Sequence, residues 1–188
     1  MSTLPPLSVI PEETPNPASN KFTVNRTLLS GAGRDYTTSQ AAASSPLARE
    51  LFLLNGVNGV YIGPNFVTVT LAAGGNWWAV RPMVMQAIES FMQTGKAAVG
   101  EAETQTPPPP QNFSAIEIGI MQILENEIQP AVAMDGGYIS FAGYDKGVVK
   151  VHLRGACHSC PSSLVTLKSG IENRLKQQFP EIQSVEAV

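Results

Sequence analysis

A segment of small residues and prolines divides this chain near its middle. Residues 95–112 read GKAAVGEAETQTPPPPQN and include four consecutive prolines at positions 107–110. Proline restricts the backbone and has no N–H to donate, so such a segment favours an extended, semi-rigid connection over a packed element. The chain is therefore predicted to form two small domains, residues 1–94 and 113–188, with residues 95–112 as a linker.

The composition excludes several classes of protein. Hydrophobic residues make up 43% of the 188 positions, enough for two cores, while the formal net charge is −3. An acidic balance of this kind argues against nucleic acid as the main partner. No apolar run approaches the ~18–20 residues that span a bilayer, so no membrane association is expected. Neither a secretory signal nor an Arg-rich presequence is evident in MSTLPPLSVIPEETPNP, and this favours a cytoplasmic location.

The first half is predicted to combine short strands with helices. Residues 11–20, PEETPNPASN, are predicted to form turns, and KFTVN after them a short strand. Residues 37–54 have a helical pattern that one proline interrupts. A hairpin is predicted over residues 56–72, because β-branched residues flank a Gly-Pro-Asn turn. Arg81 and Pro82 are then predicted to open a helix, with proline at its first position.

The second half is predicted to follow the order α-β-β-α-β. Ser114 and Glu117 have the spacing of a capping box, which starts a helix that is predicted to end before Pro130. Residues 138–155 alternate as a hairpin. A last helix stops at Pro180, and IQSVEAV favours a third strand. The whole chain is therefore assigned to the α+β class, with helices on one face of a three-stranded sheet in the second domain.

Two adjacent tryptophans precede the helix of the first domain. Trp77 and Trp78 could form a binding surface, since tryptophan is enriched at interfaces. The interpretation that we favour at this point is that one indole packs in the core and the other covers the sheet edge.

Both cysteines and both histidines of the chain lie within residues 152–163, HLRGACHSCPSS. Cys157 is predicted in the loop after the second strand, and Cys160 at the N-cap of the last helix, because Pro161 suits the first helical position. A helix start carries free N–H groups and the positive end of the macrodipole, and both favour a thiolate. The segment therefore suits an anionic, sulfur-rich ligand.

Four interpretations of this segment differ in what the sulfurs do. Two ordinary buried cysteines are the first. An intrachain zinc site would need His152, Cys157, His158 and Cys160, but adjacent side chains rarely converge on one ion, and strand alternation turns His152 outward. A thioredoxin-like dithiol is the third, although too little chain follows the motif to complete a thioredoxin sheet. The fourth is an iron–sulfur cluster with about four thiolates, which two copies of this chain would supply at a two-fold axis.

Two segments of the chain resemble the Nfu family. MDGGYISFAGYDKGVVKVHLRGACHSCPSSLVTLKSGIENRLKQQFPEIQSVEAV is similar to its C-terminal NifU-like domain. EETPNPASNKF and SPLARELFLLNGVNGVYIGPNFVTVT are similar to its N-terminal domain. The two segments stand in the family's order and together cover nearly the whole chain.

The resemblance implies a non-enzymatic iron–sulfur cluster scaffold and carrier. On this basis Cys157 and Cys160 are the cluster ligands of each subunit, and a homodimer holds a labile [4Fe–4S] cluster, with [2Fe–2S] as the alternative. The implied partners are apo iron–sulfur proteins as clients and the upstream assembly machinery. The first domain would recognise targets or donors, with the linker setting its reach.

Two positions depart from the family pattern, and two other functions stay open. Tyr138 stands where an acidic residue is common after the double glycine of Gly136 and Gly137, whose role would be backbone geometry. His158 stands where small residues are usual, as a solvent-facing side chain or a hydrogen-bond donor to cluster sulfur. The alternatives are a dithiol oxidoreductase that uses Cys157 and Cys160, and a purely structural interaction module.

Overall fold

The computed structural model describes residues 5–31, 33–100, 113–157 and 161–188. Contacts divide the chain into two units, Met1–Gln105 and Thr106–Val188, which we call the first and second units. Each contains its own sheet, helices and hydrophobic core. The predicted α+β class is therefore confirmed.

The first unit is a five-stranded sheet with two helices packed on it. Its elements are β1 (Val9–Glu13), β2 (Ser19–Val24), β3 (Arg34–Tyr36), a 3₁₀ turn (Ala41–Ser44), α1 (Pro46–Phe52), β4 (Val57–Ile62), β5 (Phe66–Leu71) and α2 (Trp77–Gln93). The strands lie in the order β1-β2-β5-β4-β3, and every neighbouring pair is antiparallel. The predicted β4–β5 hairpin is confirmed, and Gly63 N donates to Phe66 O across its turn at 2.8 Å.

Two predictions about the first unit are wrong. Residues 11–13 and 19–20 do not form turns. The first group continues β1, an edge strand that tolerates Pro11, and the second opens β2. The helix α2 begins at Trp77 and not at Arg81, because Asn76 caps it by accepting a hydrogen bond from the Trp78 N–H at 3.0 Å. Pro82 therefore lies inside the helix.

Part of the predicted linker lies against the first unit. Ala98 is buried in the core of that unit, and its carbonyl accepts a 2.6 Å hydrogen bond from Ser45 Oγ. Gly100 N donates to Ser44 O at 2.9 Å. Residues 101–112, including the four prolines, lie outside the described residues, so the linker itself stays a prediction.

The second unit has the predicted order of helices and strands. It contains α3 (Ala115–Ile123), a π-helical segment (Leu124–Ile128), α4 (Gln129–Met134), β6 (Gly137–Asp145), β7 (Val148–Gly155), α5 (Pro161–Gln178) and β8 (Ser184–Ala187). β6 and β7 form an antiparallel hairpin, and β8 adds to β7 in parallel. The tight turn of the hairpin needs positive φ at Lys146 (47°) and Gly147 (85°), and glycine adopts this conformation without steric cost.

The first helix of the second unit is longer than predicted. Its capping box is confirmed: Ser114 Oγ accepts from Glu117 N, and the Glu117 carboxylate accepts from Ser114 N at 2.8 Å. Pro130, however, does not end the helix. Since the hydrogen-bond pattern changes from π to α at this point, the proline lies in the first turn of α4, where its missing N–H is tolerated.

Candidate functional site

Cys157 lies directly after the central strand of the second unit. β7 ends at Gly155, and a two-residue turn carries Ala156 and Cys157 away from the sheet, as predicted. The side chain of Cys157 is only 5% exposed and belongs to the core of the unit. Ala156 N donates to Gly136 O at 3.2 Å, which attaches this turn to the glycine turn before β6.

The glycine turn leaves room for the sulfur of Cys157. Gly136 has a φ of 74° and ends α4, whereas Gly137 opens β6 and pairs with Gly155. A Cβ on Gly137 would lie 2.5 Å from Cys157 Sγ and 3.1 Å from Val132 Cγ1. Any side chain at position 137 would therefore collide with the sulfur. The positive φ of Gly136 agrees with the predicted role in backbone geometry, whereas Gly137 matters for the space that it leaves to the sulfur.

The second predicted ligand lies outside the described residues. Cys160, like His158, falls within 158–160, and the predicted N-cap role of Cys160 stays a prediction. The helix α5 does begin at Pro161, so Cys160 directly precedes its first residue. Two positions three residues apart are at most about 10–11 Å from one another along a stretched chain. Both cysteines therefore belong to the five residues that connect β7 to α5.

The remaining residues singled out in this region occupy the strands of the hairpin. His152 is exposed on the same face of β7 as Lys150, as predicted, and its Nδ1 lies 3.1 Å from Val188 O. Tyr138 is half-buried opposite Arg154. Within the described ranges, no group of three or more His, Cys, Asp or Glu side chains is arranged to hold a metal ion.

One residue beside the glycine turn was not found from sequence. The Gln129 side chain accepts a hydrogen bond from Ile139 N at 2.9 Å, which attaches the start of the edge strand β6 to the helix before it. Ten positions separate the two residues, and a glutamine on a helix carries no sequence signal for such a contact. The tertiary packing alone reveals that Gln129 supports the strand next to the sulfur.

Comparisons with known proteins assign the chain to a class of cluster scaffolds. The family model described as "NifU-like domain" matches residues 120–186, and "Scaffold protein Nfu/NifU N terminal" matches residues 9–95. A human relative described as "NFU1 iron-sulfur cluster scaffold homolog, mitochondrial" is 37% identical over 178 residues, covering 94% of this chain and 70% of the relative. The chain therefore belongs to the Nfu family of iron–sulfur cluster scaffold proteins, as the sequence resemblance predicts.

One further relative and one solved structure match this chain over different fractions of its length. The Drosophila sechellia protein of the same description is 39% identical over 184 residues, and the chain spans 63% of its length. A NifU-like protein from Saccharomyces cerevisiae, solved by NMR, is 18% identical with a TM-score of 0.47, over 54% of this chain and 91% of that one. Both relatives are described as iron–sulfur cluster scaffold homologues.

The predicted cytoplasmic location is wrong by the same comparison. Both the human and the fly relatives are described as mitochondrial. The expectation depended on the pattern of the first residues and on the presence of only two cysteines, and neither decides the compartment. Among the described residues, none of the helices has the length and apolar character needed to cross a membrane.

Proposed function

We propose that this chain carries a labile [4Fe–4S] cluster between two of its copies, bound through Cys157 and Cys160 of each, and transfers it to apo-proteins. The observation that carries the proposal is the position of Cys157 in a connection of five residues that also contains Cys160 and that ends at the start of α5. Thiolates are the usual ligands of iron–sulfur clusters. The chemistry of the donor set therefore fits this cargo.

The number of ligands supports a shared cluster. A cluster of this kind takes about four thiolates, and the whole chain has two cysteines. Two copies related by a two-fold axis supply four without any other ligand. Iron per chain then distinguishes the cluster types, since a shared [4Fe–4S] cluster gives about two irons per chain and a shared [2Fe–2S] cluster about one.

Loading requires a change at Cys157. The sulfur lies against Gly137 in this structure, and Cys157 is only 5% exposed. Because two chains share a cluster only through sulfurs at their surfaces, the Cys157 side chain has to leave this contact when the cluster binds. The buried position then protects the thiol of the empty chain, since buried cysteines are inert.

Transfer is a ligand exchange. Each bond between cluster iron and a thiolate of this chain is replaced by a bond to a thiolate of the client, and the oxidation state of the cluster does not change. A cluster at a seam between two subunits is open at its edge, so the client ligands enter one at a time. Net transfer then runs towards the protein that offers four ligands in one chain.

Anaerobic reconstitution with iron and sulfide tests the binding step. We expect visible absorbance, about two irons per chain and the mass of a dimer for the wild type, and loss of all three in Cys157→Ser and in Cys160→Ser. His152→Ala is the matched control: this residue is exposed on β7, and its loss should leave iron content unchanged. A colourless wild-type monomer that reduces a disulfide substrate would instead establish the dithiol oxidoreductase.

The compartment is proposed from the relatives and tested separately. We place the chain in mitochondria because the human and fly relatives carry that description. Fractionation of the source cells, with an antibody to this chain, should recover it with mitochondrial markers. Recovery with cytosolic markers would contradict this part of the proposal and leave the cluster chemistry untouched.

A further inference from the structure

Two exposed apolar side chains flank the connection that contains the cysteines. Met134 ends α4, just before the glycine turn, and is 74% exposed, whereas Val165 lies in the second turn of α5 and is 67% exposed. They are the two most exposed large apolar residues in the described part of the second unit. Each end of the connection therefore has an apolar side chain that is available for contact with another protein.

A groove lies beside Val165, between α5 and the sheet. Its volume is about 260 Å³, which is below the ~300–1,000 Å³ of small-molecule clefts. We call it the α5 groove, and its lining residues are Val151, Leu153, Val165, Lys168, Ile171, Val185 and Ala187. Because all of them except the lysine are apolar, the α5 groove suits an apolar side chain of a protein better than a polar ligand.

Met134 and the α5 groove lie on opposite sides of the connection. The sheet order is β6-β7-β8, and the connection leaves the central strand β7. The turn after Met134 leads into β6 and is attached to the connection by the bond from Ala156 N to Gly136 O. The α5 groove is lined instead by β7, β8 and α5. A projecting side chain is thus on one side of the cysteines, and a recess is on the other.

Each side of the connection also has one exposed charge. Asp135 precedes the glycine turn, and Lys168 lines the α5 groove. Neither forms an ion pair with another described residue. Glu172, one turn along α5, is close enough to feel the charge of Lys168, but its hydrogen bonds go to Lys176 and to Val185 N. A partner that brings a cation to Asp135 and an anion to Lys168 would therefore pair both charges.

We propose that a second copy of this chain occupies the α5 groove: Met134 of each copy enters the α5 groove of the other, and Asp135 of each pairs with Lys168 of the other. The inference rests on the proposed function, because one cluster shared by two connections brings the residues that flank them together. A two-fold interface is self-complementary, so a projection and a recess of one copy meet the recess and the projection of the other. Methionine suits this role because its flexible side chain fills irregular gaps.

The charges select this arrangement over the other two-fold pairing of the same surfaces. In that other pairing each side would meet its own copy, so that Asp135 would face Asp135 and Lys168 would face Lys168. Like charges across an interface are unfavourable, whereas complementary ones fix the register. A second copy is also the occupant that the ligand number already requires in the loaded state, whereas a client arrives only after loading.

Charge reversal in the reconstituted full chain tests this contact. Sedimentation measures the dimer, and the half-life of the visible absorbance after addition of a chelator measures how firmly the two copies hold the cluster. We expect Asp135→Lys and Lys168→Asp each to shorten this half-life by about fivefold or more, because each places like charges together. The double variant should restore it. Lys146→Asp is the matched control, in the exposed turn at the far end of the hairpin, and should have no effect.

The apolar part of the contact has its own pair of variants. Met134→Ser should shorten the half-life, and Ile118→Ser should not, since Ile118 is also an exposed apolar residue on a helix but lies on α3. Equal half-lives in Met134→Ser and Ile118→Ser, or a double charge variant that does not recover, overturn the proposal. So does slower transfer to a synthetic four-cysteine peptide by a Met134→Ser chain whose dimer is unchanged, because the occupant would then be a client.

A wild-type chain that takes up no cluster would contradict the proposed function and not, by itself, this contact. In that case sedimentation of the empty chain at high concentration decides. We expect weak self-association that is lost in each single charge variant and regained in the double variant. An empty chain that stays monomeric would then overturn the contact as well.

Discussion

Two connections of equal length join a strand to a long helix, one in each unit, and they serve different purposes. Residues 72–76 lie between β5 and α2, and residues 156–160 lie between β7 and α5. The first connection is AAGGN and the second ACHSC. The first leads to two tryptophans at the start of its helix, whereas the second contains the proposed cluster ligands.

The difference lies in where each connection finds its contacts. In the first unit the contacts are local: Gly74 takes a φ of 82°, and the Asn76 side chain accepts from Trp78 N at 3.0 Å. In the second unit Cys157 is covered by Gly137, which is twenty positions earlier in the chain. Local contacts are thus enough to position α2. The accessibility of the Cys157 sulfur, in contrast, depends on Gly137, which is distant in the sequence.

Replacing Gly137 should have the largest effect, because it removes the space that the sulfur occupies. In a Cys160→Ser background, where Cys157 is the only thiol, we expect Gly137→Ala to raise the rate of reaction with Ellman's reagent at least tenfold. A Cβ at this position lies 2.5 Å from Cys157 Sγ and 3.2 Å from Arg154 O. Overpacking of this kind also destabilises a core by about 1–3 kcal/mol.

Gly143 provides the matched control in the same strand. A Cβ there would have no heavy atom within 4 Å, so Gly143→Ala should leave the thiol rate unchanged. Equal rates in the Gly137→Ala variant and its parent would show that Gly137 does not hold the sulfur inside. The accessibility of Cys157 would then not depend on a distant residue, and the two connections would not differ in this respect.

Removing a buried helix cap should have the next largest effect, in the first unit. Ser45 is fully buried, accepts from Ala48 N at 3.1 Å and donates to Ala98 O at 2.6 Å. We expect Ser45→Ala to lower the free energy of unfolding by about 2 kcal/mol. Urea unfolding followed by tryptophan fluorescence measures it, because both tryptophans belong to this unit.

Ser114→Ala is the exposed counterpart in the second unit. Its capping box with Glu117 is at the surface, so the loss should be about 1 kcal/mol and should leave the fluorescence transition unchanged. Circular dichroism should detect it instead. A shift of the fluorescence transition in this variant would show that the two units do not unfold independently.

Acid should destabilise the second unit more than the first, with the smallest effect of these changes. Among the described residues, three carboxylates of the second unit have a lowered pKa, at Glu117, Glu127 and Glu172, against Glu12 in the first unit. A hydrogen bond from Arg174 lowers the pKa of Glu127, and one from Lys176 lowers the pKa of Glu172. A lowered pKa in the folded state means that this stability is complete above the ordinary value near 4.5 and is lost as pH falls through the lower one.

Thermal unfolding between pH 6 and pH 3, followed by circular dichroism, checks this effect. Glu127→Gln removes the two bonds from Arg174, at 2.6 and 2.8 Å, and should reduce the acid sensitivity of the second unit. Glu125→Gln, at an exposed position of the same π-helical segment, should leave it unchanged. Equal behaviour of both variants would contradict a role for the ion pair.

The elements that sequence analysis predicted correctly depend on local signals. The alternation of β6 and β7 and the capping box of Ser114 and Glu117 are confirmed. The errors have two causes: strand pairing overrides a local signal at Pro11, whereas at the start of α2 one local signal, the Asn76 cap, prevails over another, Pro82. Pro11 is part of an edge strand, and Pro130 lies within a long helix because a π-helical segment precedes it.

The two tryptophans are a further case in which the sequence alone does not decide where side chains lie. The sequence places Trp77 and Trp78 side by side and favours one indole in the core with the other covering the sheet edge. In the structure Trp78 is 94% exposed, and both rings line a cleft with Pro15 and Pro17. Because the opposite wall comes from sixty positions earlier in the chain, no local pattern could reveal the cleft.

By itself the sequence determined the family, the α+β class, the order of helices and strands in the second unit, and the concentration of sulfur in one connection. These properties follow from residue identity and from the periods of helices and strands. Only the tertiary structure decided that Gly137 makes space for Cys157, that Gln129 supports β6, and that Ala98 packs on the first unit. Each of these is a contact between distant positions, where steric fit and hydrogen bonding act without a periodic signal.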